Sequence, residues 1–121
     1  MTNKNFVHSK EILDFWFSSE VEPFWFVKDT EFDETIRKRF GKRYEEVALG
    51  AKNGILKDFK TGKEALALII VLDQFSRNMF RDSPQAFATD EAALSLAKLA
   101  VEKGVDGELT TVEQHNFLYM P

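Results

Sequence analysis

Five polar side chains that could do chemistry follow directly after the most apolar stretch of the sequence: Asp73, Gln74, Arg77, Asn78 and Arg81. Residues four apart share one face of a helix, so Asp73 would lie beside Arg77, and Arg77 beside Arg81. Two guanidinium groups on one face could clamp a carboxylate or a phosphate group. In this hypothesis Asn78 orients the anionic ligand, and Asp73 acts as a general base or as an orienting group.

The same residues also admit a structural interpretation. Asp73 would pair with Arg77, and both side chains would satisfy backbone groups where the apolar helix ends. Charges beside a core need partners in either case, so burial alone does not separate the two interpretations. The structural one is favoured, because charged networks at helix ends are common and perturbed groups there only sometimes catalyse.

The element that must position these residues is a helix over residues 61–81. Thr61 and Glu64 have the spacing of a capping box, in which each side chain bonds a free backbone amide. Every residue from 65 to 72 is apolar, so the helix has no face for water and should be surrounded by other elements. About 12 Å of apolar helix cannot cross a hydrocarbon core of about 30 Å. A membrane partner is therefore not expected.

Further helices are predicted from capping residues and helical spacing, over residues 10–18, 30–49 and 90–103. A last helix is predicted to open with a second capping box formed by Thr110 and Glu113. In the helix over residues 30–49, Asp33 and Arg37 are expected to form an ion pair one turn apart. The resulting fold class is all-α.

Aromatic residues are abundant, and six of them form two similar triplets at residues 15–17 and 24–26. Large rings lie mostly inside proteins, so we expect both triplets to anchor the core. A ligand-stacking surface formed by Trp16 and Trp25 is the less favoured alternative.

Composition narrows the range of partners and locations. The chain contains no Cys, which excludes disulfides and thiolate metal sites and fits a reducing cytoplasm. Its first residues lack the apolar run of a signal peptide, so a cytoplasmic location is predicted. A net charge of −4 argues against nucleic acid as a partner. Neither a glycine-rich phosphate loop nor zinc-ligand spacing is present, so no cofactor or metal is expected.

The stretch from Leu72 to Arg81, followed by residues 86–90, resembles the signature of the bacterial domain of unknown function 924 family. Residues 12–17 and 117–121 are similar to it as well, so the resemblance spans nearly the whole chain. It implies an all-helical fold of antiparallel helix pairs, related to tetratricopeptide-repeat proteins, and it implies no established activity. Ser76 is a departure, because the family often has Pro at this position.

The resemblance also implies that family members continue beyond Tyr119-Met120-Pro121 with a His-Ser-Glu element and further helices. We therefore expect residues 1–121 to form one helical domain that is the N-terminal part of a longer family domain. An exposed apolar patch of Phe117, Leu118, Tyr119 and Met120 would then favour self-association into a homo-oligomer.

Two functions follow as hypotheses. The first is a module whose stacked helix pairs present a groove to a peptide or another protein, which is an analogy at the level of the fold. The alternative is a small enzyme or sensor that binds an anionic metabolite at the Asp73 to Arg81 cluster. An open, extended concave surface would favour the first, and a closed apolar pocket with converging polar side chains would favour the second.

Overall fold

A computed structural model describes residue 6 and residues 8–121, and all regular secondary structure in this part of the chain is helical. The all-α prediction is therefore confirmed. The α-helices are Ser9–Trp16 (α1), Thr30–Lys52 (α2), Gly62–Ile69 (α3), Ser76–Met79 (α4), Asp90–Glu102 (α5) and Val112–Tyr119 (α6). The implied relation to tetratricopeptide repeats stays a prediction.

The centre of the fold is a continuous helix made of α3, a π-helical segment over Ile70–Phe75, and α4, and we call it the central helix. Its predicted capping box is present, with the Thr61 hydroxyl accepting from the Glu64 amide at 3.1 Å. Residues 65–72 are at most 1% exposed. Helices α1, α5 and α6 contact α3, while α2 contacts the π-helical segment and α4. The prediction of a fully enclosed apolar helix is thus confirmed.

The π-helical segment was not predicted from the sequence, and side chains satisfy the carbonyl groups that it displaces from the regular ladder. The hydroxyl groups of Ser76 and Thr89 donate to the carbonyl of Leu72 at 2.8 and 2.7 Å. The guanidinium group of Arg77 donates to the carbonyl of Asp73 at 2.6 Å. Such wide turns are rare and frequently lie at functional sites. Ser76 keeps this stretch helical, and a proline there would remove the hydroxyl that donates to the Leu72 carbonyl.

The turns before α3 and α6 have the same construction, 50 positions apart at residues 54 and 104. Gly54 and Gly104 have φ angles of 73° and 75°, a left-handed conformation that favours glycine. Each is followed by a short 3-10 turn and then by a threonine capping box. The second box is formed by Thr111 and Gln114, so the predicted pair of Thr110 and Glu113 is wrong by one residue. Thr111 is the residue with the extended backbone that an N-cap requires.

The two turns pack directly on each other. A Cβ atom on Gly62 would lie 2.4 Å from the Val105 carbonyl oxygen, so only glycine fits at this contact. The Gly62 amide donates to the Glu108 carboxylate at 2.9 Å. The Lys103 ammonium group donates to the Phe59 carbonyl at 2.9 Å and lies 3.9 Å from the centroid of the Phe59 ring. This contact holds α3 and α6 together at their N-terminal ends.

Aromatic rings fill the core between α1 and α6, as predicted. The ring of Trp16 lies 6.1 Å from that of Trp25 and 5.6 Å from that of Phe117. Phe117 and Leu118 are buried, so the expected apolar patch of four exposed residues is wrong in its first half. The reason is that α6 packs on α3 and places the ring of Phe117 against the rings of both tryptophans. No helix among the described residues is both long and apolar enough to cross a membrane.

Candidate functional site

The five predicted site residues separate into two groups. Asp73, Gln74 and Arg77 line a cleft, whereas Asn78 and Arg81 bind Asp33 on α2. The expected single face does not form, because α4 ends at Met79 and Arg81 lies beyond the last helical turn. The spacing rule for helices therefore does not extend to Arg81.

Asn78 and Arg81 form one group together with Asp33, and we call it the Asp33 network. Arg81 donates to both oxygens of Asp33, from Nε at 2.6 Å and from Nη2 at 3.0 Å. Asn78 adds a third hydrogen bond of 2.8 Å. The hydrogen bond to Asp33 raises the pKa of the Arg81 guanidinium above its ordinary value. Each oxygen of this buried carboxylate thus has a donor, and the network ties α2 to the end of the central helix.

Arg37 does not pair with Asp33, so the predicted ion pair is wrong. Its guanidinium group contacts Glu34 and donates to the Met79 carbonyl at 3.0 Å. Asp33 points into the protein toward Arg81, away from its neighbours on the solvent side of α2. Arg37 instead satisfies a carbonyl at the last turn of α4, where helical partners are missing.

Asp73, Gln74 and Arg77 form the other group together with Asp90, and we call it the Asp73 cluster. Gln74 Nε2 donates to Asp73 Oδ2 at 2.9 Å, and Arg77 Nη1 lies 3.3 Å from Asp73 Oδ1. The predicted Asp73–Arg77 pair is therefore present. Arg77 also donates to both oxygens of Asp90, at 3.0 and 3.2 Å. One guanidinium group is thus shared between two carboxylates and a backbone carbonyl.

Burial raises the pKa of the Asp73 carboxyl above its ordinary value near 3.8. Arg77 and the hydrogen bond from Gln74 oppose this shift without cancelling it, and the negative charge of Asp90 adds to it. The positive charge around Asp73 is therefore too small to offset the loss of water.

The Asp73 cluster borders a cleft of about 400 Å³. The cleft is lined by Phe26, Asp73, Gln74, Arg77, Asp90, Glu91, Leu94, Met120 and Pro121. Its lining combines the apolar side chains of Phe26, Leu94 and Met120 with three carboxylates and one guanidinium group. The predicted clamp of two guanidinium groups does not form. Binding of any ligand by these residues stays a prediction.

Phe26 is a feature of the cleft that sequence reasoning missed. Its backbone φ angle is 63°, an uncommon value for any residue but glycine. Its ring stacks on that of Phe117 at 5.7 Å, yet the residue is 73% exposed. Within the predicted core triplet at residues 24–26, this ring alone reaches far into solvent, because the left-handed turn directs it outward.

Asp33 and Asp90 were also missed as partners of the predicted cluster. The helical spacing of apolar residues in α2 places Asp33 on the buried face, three residues before Ile36, and this is a signal that could have identified it. Asp90 lies at the first position of α5, where an acidic residue is ordinary, so its spacing carries no comparable signal.

The fold and the cleft define a small all-helical protein in which a buried carboxylate borders an open cleft. The chain belongs to the DUF924 family, described as bacterial protein of unknown function, whose profile matches residues 12–121. The predicted family is therefore confirmed. A solved structure of a protein of unknown function from Agrobacterium tumefaciens is similar, with a TM-score of 0.79 and 33% sequence identity. The similarity covers 93% of this chain and 61% of that one. No curated protein is significantly similar in sequence.

Proposed function

We propose that the protein binds a small molecule in the Asp73 cleft, with Asp73 as the principal hydrogen-bonding group. The observation that carries this proposal is a buried carboxylate with incomplete charge compensation at the edge of a cavity. Groups of this kind are enriched at binding and catalytic sites. The cytoplasmic location stays a prediction.

The geometry of the cleft supports the proposal over a purely structural role. A volume of about 400 Å³ is within the range of small-molecule sites, which combine apolar walls with a few convergent polar groups. Gln74 and Arg77 converge with Asp73 on the same space. All three side chains lie on or beside the π-helical segment, a backbone feature that often accompanies function.

The same arrangement suits proton transfer, although binding is the part that the geometry supports first. A carboxyl with a raised pKa is closer to the operating pH of a general acid or base than an ordinary aspartate. Gln74 holds one oxygen of Asp73 in place, leaving the other beside Arg77. Catalysis in the cleft stays a prediction.

A fragment survey by two-dimensional NMR tests the proposal. We expect some fragments to shift the amide signals of Phe26, Gln74 and Leu94, and to lose this effect in Asp73→Asn. The matched control is Asp58→Asn, the same change at an exposed aspartate in the turn before α3. Fragments that shift only residues away from the cleft, or that bind Asp73→Asn equally well, would contradict the proposal.

A second candidate function is association with a second copy of the chain, in line with the self-association predicted from the sequence. Tyr119 and Met120 are about half-exposed and, with Phe26, line an adjoining cleft of about 440 Å³. Exposed apolar side chains in one patch favour contact with another protein. We expect light scattering to detect dimers at high concentration and Phe26→Ser to reduce them. A monomer at every concentration contradicts this candidate.

A further inference from the structure

We infer that the ligand of the Asp73 cleft combines a cationic nitrogen head group with a flat apolar body. The head group faces the carboxylates of Asp73 and Asp90, and the body lies against the ring of Phe26. This inference rests on the proposed function, because it names the class of molecule that the same cleft takes.

The charges that line the cleft determine the head group. Asp73, Asp90 and Glu91 stand against a single cation, Arg77. Both terminal nitrogens of Arg77 already donate to Asp90, and one of them also donates to the Asp73 carbonyl. An anionic ligand would have to displace these bonds while facing three carboxylates. A cationic ligand meets oxygen acceptors without breaking a pair, and charge-assisted hydrogen bonds of this kind are the strong ones.

The surroundings of Asp73 give the cation an additional role. Burial penalises the ionised carboxylate, and Arg77 at 3.3 Å offsets the penalty only in part. A second positive charge within hydrogen-bond distance would favour the ionised form further. A cationic ligand would therefore supply positive charge that the cleft itself lacks and would stabilise the ionised form of Asp73.

A metal ion fits these residues less well than an organic cation does. Among the described residues no group of three or more His, Cys, Asp or Glu side chains is arranged to hold a metal ion. Asp90 is already engaged at both oxygens by Arg77, and Asp73 at one oxygen by Gln74. An ammonium group needs no such group of ligands, because it can donate to the remaining lone pairs of single carboxylate oxygens.

The apolar wall determines the body of the ligand. One face of the Phe26 ring rests on Phe117, with the two planes 12° apart, so the ring is supported from behind. Leu94 and Met120 also contribute apolar lining to the cleft. Backbone strain at exposed residues recurs at ligand-binding positions, and Phe26 is held at a positive φ angle. A flat ring stacked on Phe26 would cover apolar surface that is otherwise left in water.

Three probes with one phenyl body and different head groups test the inference: 2-phenylethylamine, 2-phenylethanol and 3-phenylpropionate. We expect NMR titration at neutral pH to show that the amine shifts the signals of Gln74 and Leu94 and binds about ten-fold more tightly than the carboxylate. The neutral alcohol should lie between them. Tighter binding of 3-phenylpropionate in the cleft would overturn the inference and leave the proposed function standing.

Variants separate the head group from the body. Asp73→Asn should weaken the amine about ten-fold and the alcohol by a smaller factor, while Phe26→Gly, which also relieves the positive φ angle, should weaken both. Glu91 is exposed at the rim of the cleft, so Glu91→Gln should not disturb the core. This variant should weaken binding of the amine by a smaller factor and leave binding of the alcohol unchanged. Asp58→Asn is the control without effect. If no probe shifts a cleft residue, the inference is wrong, and the fragment survey then decides separately on the proposed function.

Discussion

Asp33 and Asp73 are two carboxylates with the same burial, each 4% exposed, and each is paired with an arginine near the C-terminal end of the central helix. They differ in how their oxygens are matched. Asp33 receives three hydrogen bonds on two oxygens from Arg81 and Asn78. Asp73 receives one from Gln74 and shares Arg77 with Asp90.

Burial of a charge therefore does not identify its role, whereas the completeness of its hydrogen bonding does. A fully matched carboxylate joins elements of the fold, because removing it leaves donors without an acceptor. A carboxylate that receives fewer hydrogen bonds and lies beside a cavity can still accept hydrogen bonds from a ligand. The same mutation at the two residues should therefore change stability by different amounts.

The largest effect is expected from Asp33→Ala. This change leaves Arg81 and Asn78 without their acceptor, and breaking a buried ion pair in this way costs about 3 kcal/mol. Chemical denaturation should therefore show a lower midpoint with an unchanged slope. A variant as stable as Asp58→Ala would show that the Asp33 network does not stabilise the fold.

A somewhat smaller effect is expected for the coupling between partners, measured in double-mutant cycles. The Asp33–Arg81 pair is bidentate, with a half-buried arginine, and should show a coupling free energy of about 2 kcal/mol. The Asp73–Arg77 pair should show less than about 1 kcal/mol, because Arg77 is more exposed and retains Asp90 when Asp73 is removed. Equal couplings would remove the distinction between the two carboxylates.

A still smaller effect is expected for Asp73→Asn at neutral pH. The amide retains hydrogen-bonding capacity and carries no charge to desolvate, so the free energy of unfolding should change by less than about 1 kcal/mol. Thermal unfolding of Asp73→Asn and of Asp33→Asn measures the difference in stability between the two variants. A loss as large as that of Asp33→Asn would assign Asp73 to the structural interpretation.

The dependence of stability on pH sharpens the same contrast. In the unfolded chain Asp73 has its ordinary pKa near 3.8, and in the folded chain burial raises it. Between the two values the native state binds more protons than the unfolded state, so the contribution of Asp73 to stability falls as pH rises. The stability of the wild type relative to Asp73→Asn should therefore decrease from acid toward neutral pH. If the stability of the wild type relative to Asp73→Asn instead increases over this range, folding lowers the pKa of Asp73 rather than raising it.

Much of the fold was predictable because it depends on local signals. The capping box of Thr61 and Glu64, the cap at Asp29 and the apolar run at residues 65–72 each involve only neighbours in the sequence. The end of α2 was misplaced at Leu49, because Gly50 lies inside the helix and the left-handed glycine that follows its end is Gly54. A glycine in the sequence does not reveal which conformation it adopts.

The candidate site was predictable only in part, because its partners come from distant elements. The Asp73–Arg77 pair lies within one helix and follows from spacing alone. The contact of Arg81 with Asp33 spans 48 residues, and the contact of Arg77 with Asp90 depends on the turn between α4 and α5. The wide turn at Ile70–Phe75 and the positive φ angle of Phe26 leave no trace in hydrophobic periodicity.

The most direct test of the central claim is an NMR titration of the Asp73 carboxyl carbon, without and with 2-phenylethylamine. An incompletely compensated carboxylate beside a cation-binding cleft should have a pKa above 3.8, and the amine should lower it. A pKa at or below that ordinary value, unchanged by the amine, would contradict the claim that Asp73 has an unmet need for positive charge.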